Sequence, residues 1–306
     1  MGMDQSAGSV GFAAEHSVGW VGAGKMGAPM IRNLLARGVA VTVSEPTLTV
    51  VAELAEAGAT PAAAPADLAT CAVVFATLPN DAALLEVVLG TTVSAGLAAV
   101  LPAGAVFVEM STVSPECSVR IANALSDKGI LYLRAPISGS TALAEKAALT
   151  ILASGDQAAW TAALTYLEMI SARRFYLGPS EQARYMKLVL NALVGATSSI
   201  LAEALALGAS GGLSRADMMG VICESVVASP LLAYKREAVV ADDFTPAFTV
   251  AQMIKDFTLI SDAGRTQGVP LLTIGLILEL YRAAANTGLK DDDFFALVKW
   301  QANMSN

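Results

Sequence analysis

Histidine and cysteine are scarce in this chain. His16 is the only histidine among 306 residues. The lack of any other histidine excludes a Ser-His-Asp hydrolase, except one built on His16 itself. The three cysteines lie far apart and show no metal-ligand spacing: Cys71, Cys117 and Cys223. We therefore expect no metal site, and we interpret the thiols as small core residues of a protein in a reducing compartment, the cytoplasm.

Positive charge is also in short supply. Lys and Arg total 19 against 27 Asp and Glu, which gives a formal net charge of -8. A net negative charge does not suit a protein that binds the phosphate backbone of nucleic acids non-specifically. We therefore expect no nucleic-acid partner.

A long charge-free apolar run is absent too, although hydrophobic residues make up 55% of the chain. The longest candidate, residues 188–202, contains Asn191 and two serines. It is shorter than the ~20 apolar residues that a membrane span requires, so we interpret it as a helix buried in protein, with no membrane partner. The amino terminus carries Asp4 and Glu15 and has no cationic start, so we expect a disordered leader or a remnant of expression, not a secretory signal.

The pattern of apolar residues divides the chain into two halves. In the first half, short apolar runs alternate with segments of helical spacing, which predicts right-handed βαβ units and a parallel sheet. The predicted strands are residues 17–21, 40–44, 72–77, 105–109 and 131–134, with an outer strand at 148–153. The predicted helices of this half are residues 26–37, 81–89, 114–128 and 157–171.

From about Pro179 onward the spacing is helical throughout. Helices are predicted at residues 185–212, 215–225, 250–267 and 271–285. The predicted fold is therefore α/β, with a doubly wound parallel sheet in residues 16–178 and an all-α domain in residues 179–306.

A glycine-rich turn follows the first predicted strand and leads into a helix. Its residues are Gly22, Ala23, Gly24, Lys25, Met26 and Gly27. In a GxGxxG turn the first glycine makes the tight bend, the second lets a pyrophosphate approach bare backbone, and the third lets helix pack on strand. The helix amino terminus then offers unpaired N–H groups and a partial positive charge to the phosphates. In this strand-turn-helix context the motif predicts a Rossmann-type dinucleotide site.

The end of the second predicted strand bears on which dinucleotide binds. Glu45 lies about 20 residues beyond the glycines, where a carboxylate accepts hydrogen bonds from the adenosine ribose and repels a 2′-phosphate. Pro46, not an arginine, follows it. We therefore predict NAD in preference to NADP. If Glu45 is only a solvated loop carboxylate, NADP stays open.

Six ordered segments of the chain resemble the β-hydroxyacid dehydrogenases, a family that includes 3-hydroxyisobutyrate dehydrogenase and tartronate semialdehyde reductase. The resemblance runs from about Ser17 to Trp300. The segments are GAGKMGAPMIRNLLARG at 22–38, ATLPNDA at 76–82, EMSTVSP at 109–115, APISGS at 135–140, KLVLN at 187–191 and KDFTLISD at 255–262. The resemblance implies an NAD(P)-dependent oxidoreductase that interconverts a small 3-hydroxyacid and its semialdehyde or 3-oxoacid.

The resemblance also implies roles for particular residues. Those expected along the cofactor, besides the glycine-rich turn and Glu45, are Leu78, Pro79, Thr112, Lys255 and Asp256. Those expected to hold a carboxylate-bearing substrate are Ser138, Gly139, Ser140 and Lys255. The small side chains and backbone N–H groups of the serine-glycine segment suit a carboxylate. The alternative for Lys255 and Asp256 is an ordinary solvated pair on a helix surface.

Alcohol oxidation needs a base within hydrogen-bond reach of the hydroxyl. His16 precedes the first strand, away from the crevice expected at the other end of the sheet, which leaves Lys187. Asn191 lies four positions later on the same helix face. Burial would lower the pKa of a lysine from about 10.4 toward the range of about 7 to 8 that suits a general base. We predict Lys187 as the general acid/base and Asn191 as its partner in holding substrate; the alternative is a lysine that extends from an ordinary helix.

Several residues depart from the family pattern. Arg134 stands where the family usually has an acidic residue, and Ser140, Ala147, Glu181 and Ala183 replace glycines. These changes imply a reshaped substrate pocket. Arg134 either binds an additional anionic group or pairs with a surface carboxylate, and both interpretations are kept.

Two other functional classes remain possible at the level of sequence. One is an NADPH-dependent imine reductase-like enzyme, and the other is a catalytically silent dinucleotide-binding interaction module. A wide apolar stripe through residues 188–190, 201–202 and 204–207 further predicts a homodimer or homotetramer, paired through the helical domain.

Overall fold

The structure is a computed structural model that describes residues 18–305. His16 and the predicted leader lie outside the described residues. The chain divides into two compact units. Of the described residues, 18–111 and 116–183 form the sheet unit, and 112–115 and 184–305 form the helical unit.

The sheet unit contains a mixed, mainly parallel sheet. Within residues 18–305 its strands are β1 (Val18–Val21), β2 (Val41–Ser44), β3 (Thr60–Ala62), β4 (Val73–Ala76), β5 (Val106–Glu109), β6 (Leu131–Arg134), β7 (Ile137–Ser138), β8 (Leu149–Gly155) and β9 (Ser171–Tyr176). Their order is β3-β2-β1-β4-β5-β6-β8-β7, and β9 pairs with β8. The first six strands pair in parallel, and the order reverses between β1 and β4. Such a switch point is where doubly wound sheets bind their ligands.

Helices cover this sheet. Those of the first half are α1 (Gly27–Leu35), α2 (Leu48–Glu56), α3 (Asp81–Leu89), α4 (Leu97–Val100), α5 (Pro115–Ser126), α6 (Thr141–Glu145) and α7 (Gln157–Ile170), with a 3-10 turn at Pro65–Thr70. All four residues of β1, β4 and β5 are buried, as in a sheet covered on both faces. Trp20 and Phe75 stack in this core with ring centroids 5.0 Å apart. Full burial of one large apolar side chain contributes about 1.5–3 kcal/mol.

The carboxy-terminal edge of the sheet differs from the prediction. The strand predicted at the outside, β8, has neighbours on both sides and runs antiparallel to β6. The outer strand is β9, which was missed because it follows α7 directly, with no turn residue between Ile170 and Ser171.

The helical unit is all-α, as predicted. Its elements are α8 (Gln182–Ser210), α9 (Arg215–Glu224), α10 (Pro230–Ala241), α11 (Val250–Gln267), α12 (Leu272–Ala284) and α13 (Leu297–Met304), with a π turn at Ala285–Leu289 and a 3-10 turn at Phe294–Ala296. The first two residues of α8 belong to the sheet unit. Thr249 and Gln252 form a capping box that starts α11. Helix α10 was missed, although Ser229 caps it and Pro230 opens it, which is a recognised start signal.

Helix α8 is longer than the apolar run considered at 188–202. Among the described residues it is the one helix whose length and composition would allow it to cross a membrane, and 44% of its most apolar window is buried. Its polar groups have partners inside the helical unit. The Ser198 hydroxyl donates to the Phe294 carbonyl at 3.1 Å and lies 2.8 Å from the Tyr281 hydroxyl. The core helix of a helical unit can have the same length and composition as a membrane span, so these two properties do not distinguish a core helix from a span.

Candidate functional site

The glycine-rich turn lies between β1 and α1, at the switch point of the sheet. Gly22 has a φ of +81°, and a Cβ added to it would lie 2.4 Å from the Thr77 carbonyl oxygen. A Cβ added to Gly27 would lie 2.4 Å from the Gly22 carbonyl oxygen. At Gly24 nothing lies within 4 Å of an added Cβ. The outer two glycines are therefore required for packing, whereas the middle one borders open space.

The start of α1 is available to an anion. Gly24 and Lys25 are exposed, Met26 is half-buried and Ala23 is buried. No side chain among the described residues caps this helix, and its first turn contains no acidic residue. The Ala28 N–H already donates to the Gly24 carbonyl at 3.0 Å, so the part of this turn that a phosphate can approach is the exposed backbone of Gly24 and Lys25.

The Glu45 carboxylate lies against this turn. Its Oε2 accepts a hydrogen bond from the Ala23 N–H at 2.7 Å, and its Oε1 accepts one from the Thr47 N–H at 3.0 Å. The residue follows β2, which pairs with β1, so the sheet register brings the carboxylate to the glycines. Glu45 is therefore not merely a solvated loop carboxylate, and it places negative charge beside the turn.

The loops after β4 and β5 meet next to the turn. Leu78 is half-buried, Pro79 is exposed, and the Leu78 N–H donates to Ser111 Oγ at 2.8 Å. A Cβ on Gly22 would come within 3.0 Å of the Leu78 side chain. Because neighbouring parallel strands end at the same edge, these residues and the glycine-rich turn share one edge of the sheet.

The predicted substrate segment also belongs to the sheet unit. Ser138 ends β7, Gly139 has a φ of +143°, and Ser140 precedes α6. The side chain of Asn33 on α1 donates to the Ala144 carbonyl at 2.7 Å and so ties α6 to α1. Ala147, where the family has glycine, has a φ of +51°, a strained conformation for a residue with a Cβ.

A second cluster lies in the helical unit and joins α8, α11 and the short segment 112–115. Asn191 Nδ2 donates to Asp256 Oδ2. Lys255 Nζ lies 2.9 Å from Asp256 Oδ1 and donates to the Thr112 carbonyl at 2.8 Å. Asp256 is 1% exposed, so Lys255 and Asp256 do not form a solvated surface pair. The structure thus brings together four residues predicted from three separate motifs.

Lys187 belongs to the same cluster through its charge interactions. Burial lowers the pKa of its amine below the ordinary value of 10.5. The Asp256 carboxylate acts in the opposite direction and raises this pKa, while the Lys255 ammonium lowers it. The residue as a whole is only partly buried, yet burial is the largest effect on its amine. A lysine with a lowered pKa has a larger fraction of neutral amine at a given pH, and the neutral amine is the form that accepts a proton.

Two family profiles together match almost all of the chain. A profile described as the NAD binding domain of 6-phosphogluconate dehydrogenase matches residues 17–178. One described as NAD-binding of NADP-dependent 3-hydroxyisobutyrate dehydrogenase matches residues 182–301. The chain belongs to the β-hydroxyacid dehydrogenase family. It is an NAD(P)-dependent hydroxyacid dehydrogenase.

Three relatives are similar over nearly their whole length. Glyoxylate/succinic semialdehyde reductase 1 of Arabidopsis thaliana is 31% identical, covering 92% of this chain and 97% of the relative. The 2-(hydroxymethyl)glutarate dehydrogenase of Eubacterium barkeri is 32% identical over 93% and 94% of the two chains. The crystal structure of 3-hydroxyisobutyrate dehydrogenase from Salmonella typhimurium superimposes with a TM-score of 0.84 at 26% identity, covering 93% and 99%. The predicted fold class and family resemblance are confirmed.

In this dehydrogenase Arg134 is buried, and its partners are other side chains of the protein. Arg134 is buried at the end of β6, and its Nη2 forms an ion pair with Glu181. Its Nε donates to Ser118 Oγ at 2.8 Å, and its guanidinium carbon lies 4.5 Å from the centre of the Tyr132 ring. Of the two interpretations kept above, pairing with a carboxylate fits, except that the carboxylate is itself mostly covered and not at the surface.

Trp20 and Thr77 contact the glycine-rich turn but were not among the predicted site residues. Trp20 Nε1 donates to the Gly22 carbonyl and to Thr77 Oγ1, each at 3.0 Å. Thr77 belongs to the motif at 76–82, from which only Leu78 and Pro79 were predicted as cofactor contacts.

Within residues 18–305, no three His, Cys, Asp or Glu side chains lie close enough together to hold a metal ion.

Proposed function

We propose that this dehydrogenase oxidises a small 3-hydroxyacid to its semialdehyde or 3-oxoacid, and reduces it in reverse, with Lys187 as general acid/base. The observation that supports this most strongly is the lowered pKa of the Lys187 amine in a cluster with Asn191 and Asp256. In oxidation the neutral amine takes the hydroxyl proton of the substrate. In reduction the ammonium returns it to the developing alkoxide.

In this proposal Asn191 orients the substrate and Asp256 adjusts the pKa of the base. The Asn191 amide nitrogen donates to Asp256, and its carbonyl oxygen is the group proposed to accept the substrate hydroxyl. The buried carboxylate of Asp256 keeps the pKa of Lys187 from falling as far as burial alone would take it. Burial is the larger effect, so the pKa of Lys187 stays below its ordinary value of 10.5.

The cofactor proposed is NAD, which supplies the hydride acceptor in oxidation and, in its reduced form, the hydride donor. The fit rests on the open space at Gly24, the uncapped start of α1 and the Glu45 carboxylate. We propose that the turn Gly22–Gly27 holds the pyrophosphate and Glu45 the adenosine ribose. Leu78, Pro79, Thr112, Lys255 and Asp256 complete the cofactor contacts in this proposal.

The substrate proposed is a short carboxylate with a hydroxymethyl or aldehyde group. Support comes from the relatives' names, since glyoxylate, succinic semialdehyde and 2-(hydroxymethyl)glutarate are all of this kind. We propose that Ser138, Gly139 and Ser140 bind its carboxylate with backbone and hydroxyl groups, assisted by the Lys255 ammonium. Residues 16–178 then act as the dinucleotide-binding domain and residues 179–306 as the substrate domain.

A substrate panel tests the proposal. The purified chain is assayed with 3-hydroxyisobutyrate, glycerate, 3-hydroxypropionate, threonate, serine and 2-(hydroxymethyl)glutarate, each with NAD and NADP. Lys187→Ala should lower kcat by at least about a hundredfold, the scale of general acid–base catalysis. Lys290→Ala, which removes a lysine that is 67% exposed, should leave kcat unchanged. No turnover of any acid, together with turnover of a cyclic imine by NADPH, would favour the imine reductase class instead.

We also propose a homodimer or homotetramer in the cytoplasm, formed through α8. Val189, Leu193, Ile200 and Leu207 are each more than half exposed along this helix. Exposed apolar stripes of this kind rarely persist in monomers. Light scattering on the wild-type chain should give a molar mass that is two or four times 31.4 kDa. The double variant Leu193→Glu, Ile200→Glu should have a lower molar mass in solution. A monomeric wild type would refute this.

A further inference from the structure

The indole of Trp20 reaches from the core of the sheet to the glycine-rich turn. The side chain is fully buried and stacks on Phe75. Its Nε1 donates to the Gly22 carbonyl and to Thr77 Oγ1 at 3.0 Å each. A buried indole N–H needs an acceptor, and both acceptors here belong to the turn or lie directly beside it.

The Thr77 hydroxyl donates to the same Gly22 carbonyl, which therefore has two donors. On the other side, the Gly22 N–H donates to the Ser44 carbonyl at 3.0 Å. The N–H of the next residue, Ala23, is held by Glu45 at 2.7 Å. Both peptide groups that flank Gly22 thus have fixed orientations.

We propose that Trp20 and Thr77 are positioning residues for the pyrophosphate of the dinucleotide, acting through the Gly22 carbonyl. The exposed backbone at Gly24 and Lys25 follows immediately, and its direction is set by the peptide that the two side chains hold. A turn already fixed in its binding conformation loses less freedom when ligand arrives, which strengthens binding. The inference rests on the cofactor site proposed above.

Calorimetric titration of the full chain with NADH tests this, because it does not depend on tryptophan fluorescence. Trp20→Phe keeps an aromatic ring on Phe75 but removes the N–H donor, and Thr77→Val removes the hydroxyl at nearly constant volume. Each should weaken NADH binding about five- to ten-fold, the scale of one lost hydrogen bond. In the double variant the fold-loss of NADH affinity should be smaller than the product of the two single losses, because both side chains share one acceptor. Thr77→Ser, which keeps the hydroxyl, should bind within about two-fold of wild type.

Two controls separate positioning from general loosening of the sheet unit. Trp160→Phe changes a tryptophan whose ring lies against Tyr176, with centroids 5.8 Å apart, and it should leave NADH binding unchanged. ADP-ribose should lose affinity in Trp20→Phe and Thr77→Val as NADH does, whereas adenosine, which has no phosphate, should not. Equal weakening of adenosine would overturn the inference in favour of a merely structural role.

The decisive comparison is between Thr77→Val and Thr77→Ser, which stays informative even if Trp20→Phe fails to fold. Equal NADH affinity in these two variants would overturn the inference. Failure of the proposed function has a different signature: a wild-type chain that binds NADH but turns over no hydroxyacid leaves the positioning result intact. A wild type that binds neither NADH nor NADPH overturns both.

Discussion

The ion pair between Arg134 and Glu181 allows a quantitative test of how the sheet unit is held together. The two side chains are 6% and 13% exposed, so neither charge is well solvated. Removing one partner of such a pair costs about 3–5 kcal/mol, because the other charge stays buried without compensation. Replacing both by apolar residues is much less costly. Arg134→Met and Glu181→Met should therefore each lower the free energy of unfolding by about 3 kcal/mol, and the double variant by less than their sum.

The assay is a double-mutant cycle by urea unfolding, repeated by calorimetry. A loss of about 3 kcal/mol corresponds to a fall in Tm of roughly 6–12 °C for a unit of this size. The matched control is the exposed pair of Arg32 and Glu53, whose side chains are 46% and 63% exposed and lie 2.9 Å apart. The same Met substitutions there should change stability by less than about 1 kcal/mol.

Two results would refute this reasoning. Additive losses in the Arg134 cycle would mean that the pair carries no coupling. A rise in substrate KM in Arg134→Met, with stability unchanged, would mean that Arg134 binds an anionic group of the substrate and not Glu181.

Three further substitutions follow from the sheet unit. Ala147→Gly should stabilise by about 0.5–1 kcal/mol, because the φ of +51° is costly for a Cβ-bearing residue, whereas Ala36→Gly, at a φ of -62°, should destabilise by a similar amount in urea titrations. Glu45→Gln should raise the ratio of NADPH to NADH specificity by about tenfold, since it removes a negative charge beside the turn, and Glu53→Gln should leave that ratio unchanged. Gly22→Ala should lose NADH binding in calorimetric titrations, since its Cβ would lie 2.4 Å from a backbone oxygen. Binding at wild-type affinity would contradict the close packing of the turn.

Much of the fold could be predicted where periodicity and turn residues agree. The predicted strand at 131–134 and helix at 81–89 match β6 and α3 residue for residue, because an apolar run and a capping Asn80 mark them. Strand β9 could not be found in this way, because it continues from α7 without a break and exposes Arg173 and Phe175.

The candidate site could be predicted only as far as local motifs reach. The spacing of the glycines and the position of Glu45 are properties of short segments, so the turn and its carboxylate could be named from sequence. The contacts of Trp20 with Thr77 and of Arg134 with Glu181 join residues far apart in the chain. Strand pairing and the path of the chain create these contacts, and no local pattern encodes them.

The pH dependence of hydroxyacid oxidation tests the central claim most directly. Because the neutral amine of Lys187 accepts the proton, kcat/KM for oxidation should rise with pH through the pKa of Lys187 and then level off, at a pH below the ordinary value of 10.5. Reduction needs the ammonium and should show the opposite slope. In Lys187→Met the residual oxidation should lose this rise. The same pH rise in Lys187→Met, at undiminished rate, would contradict the account.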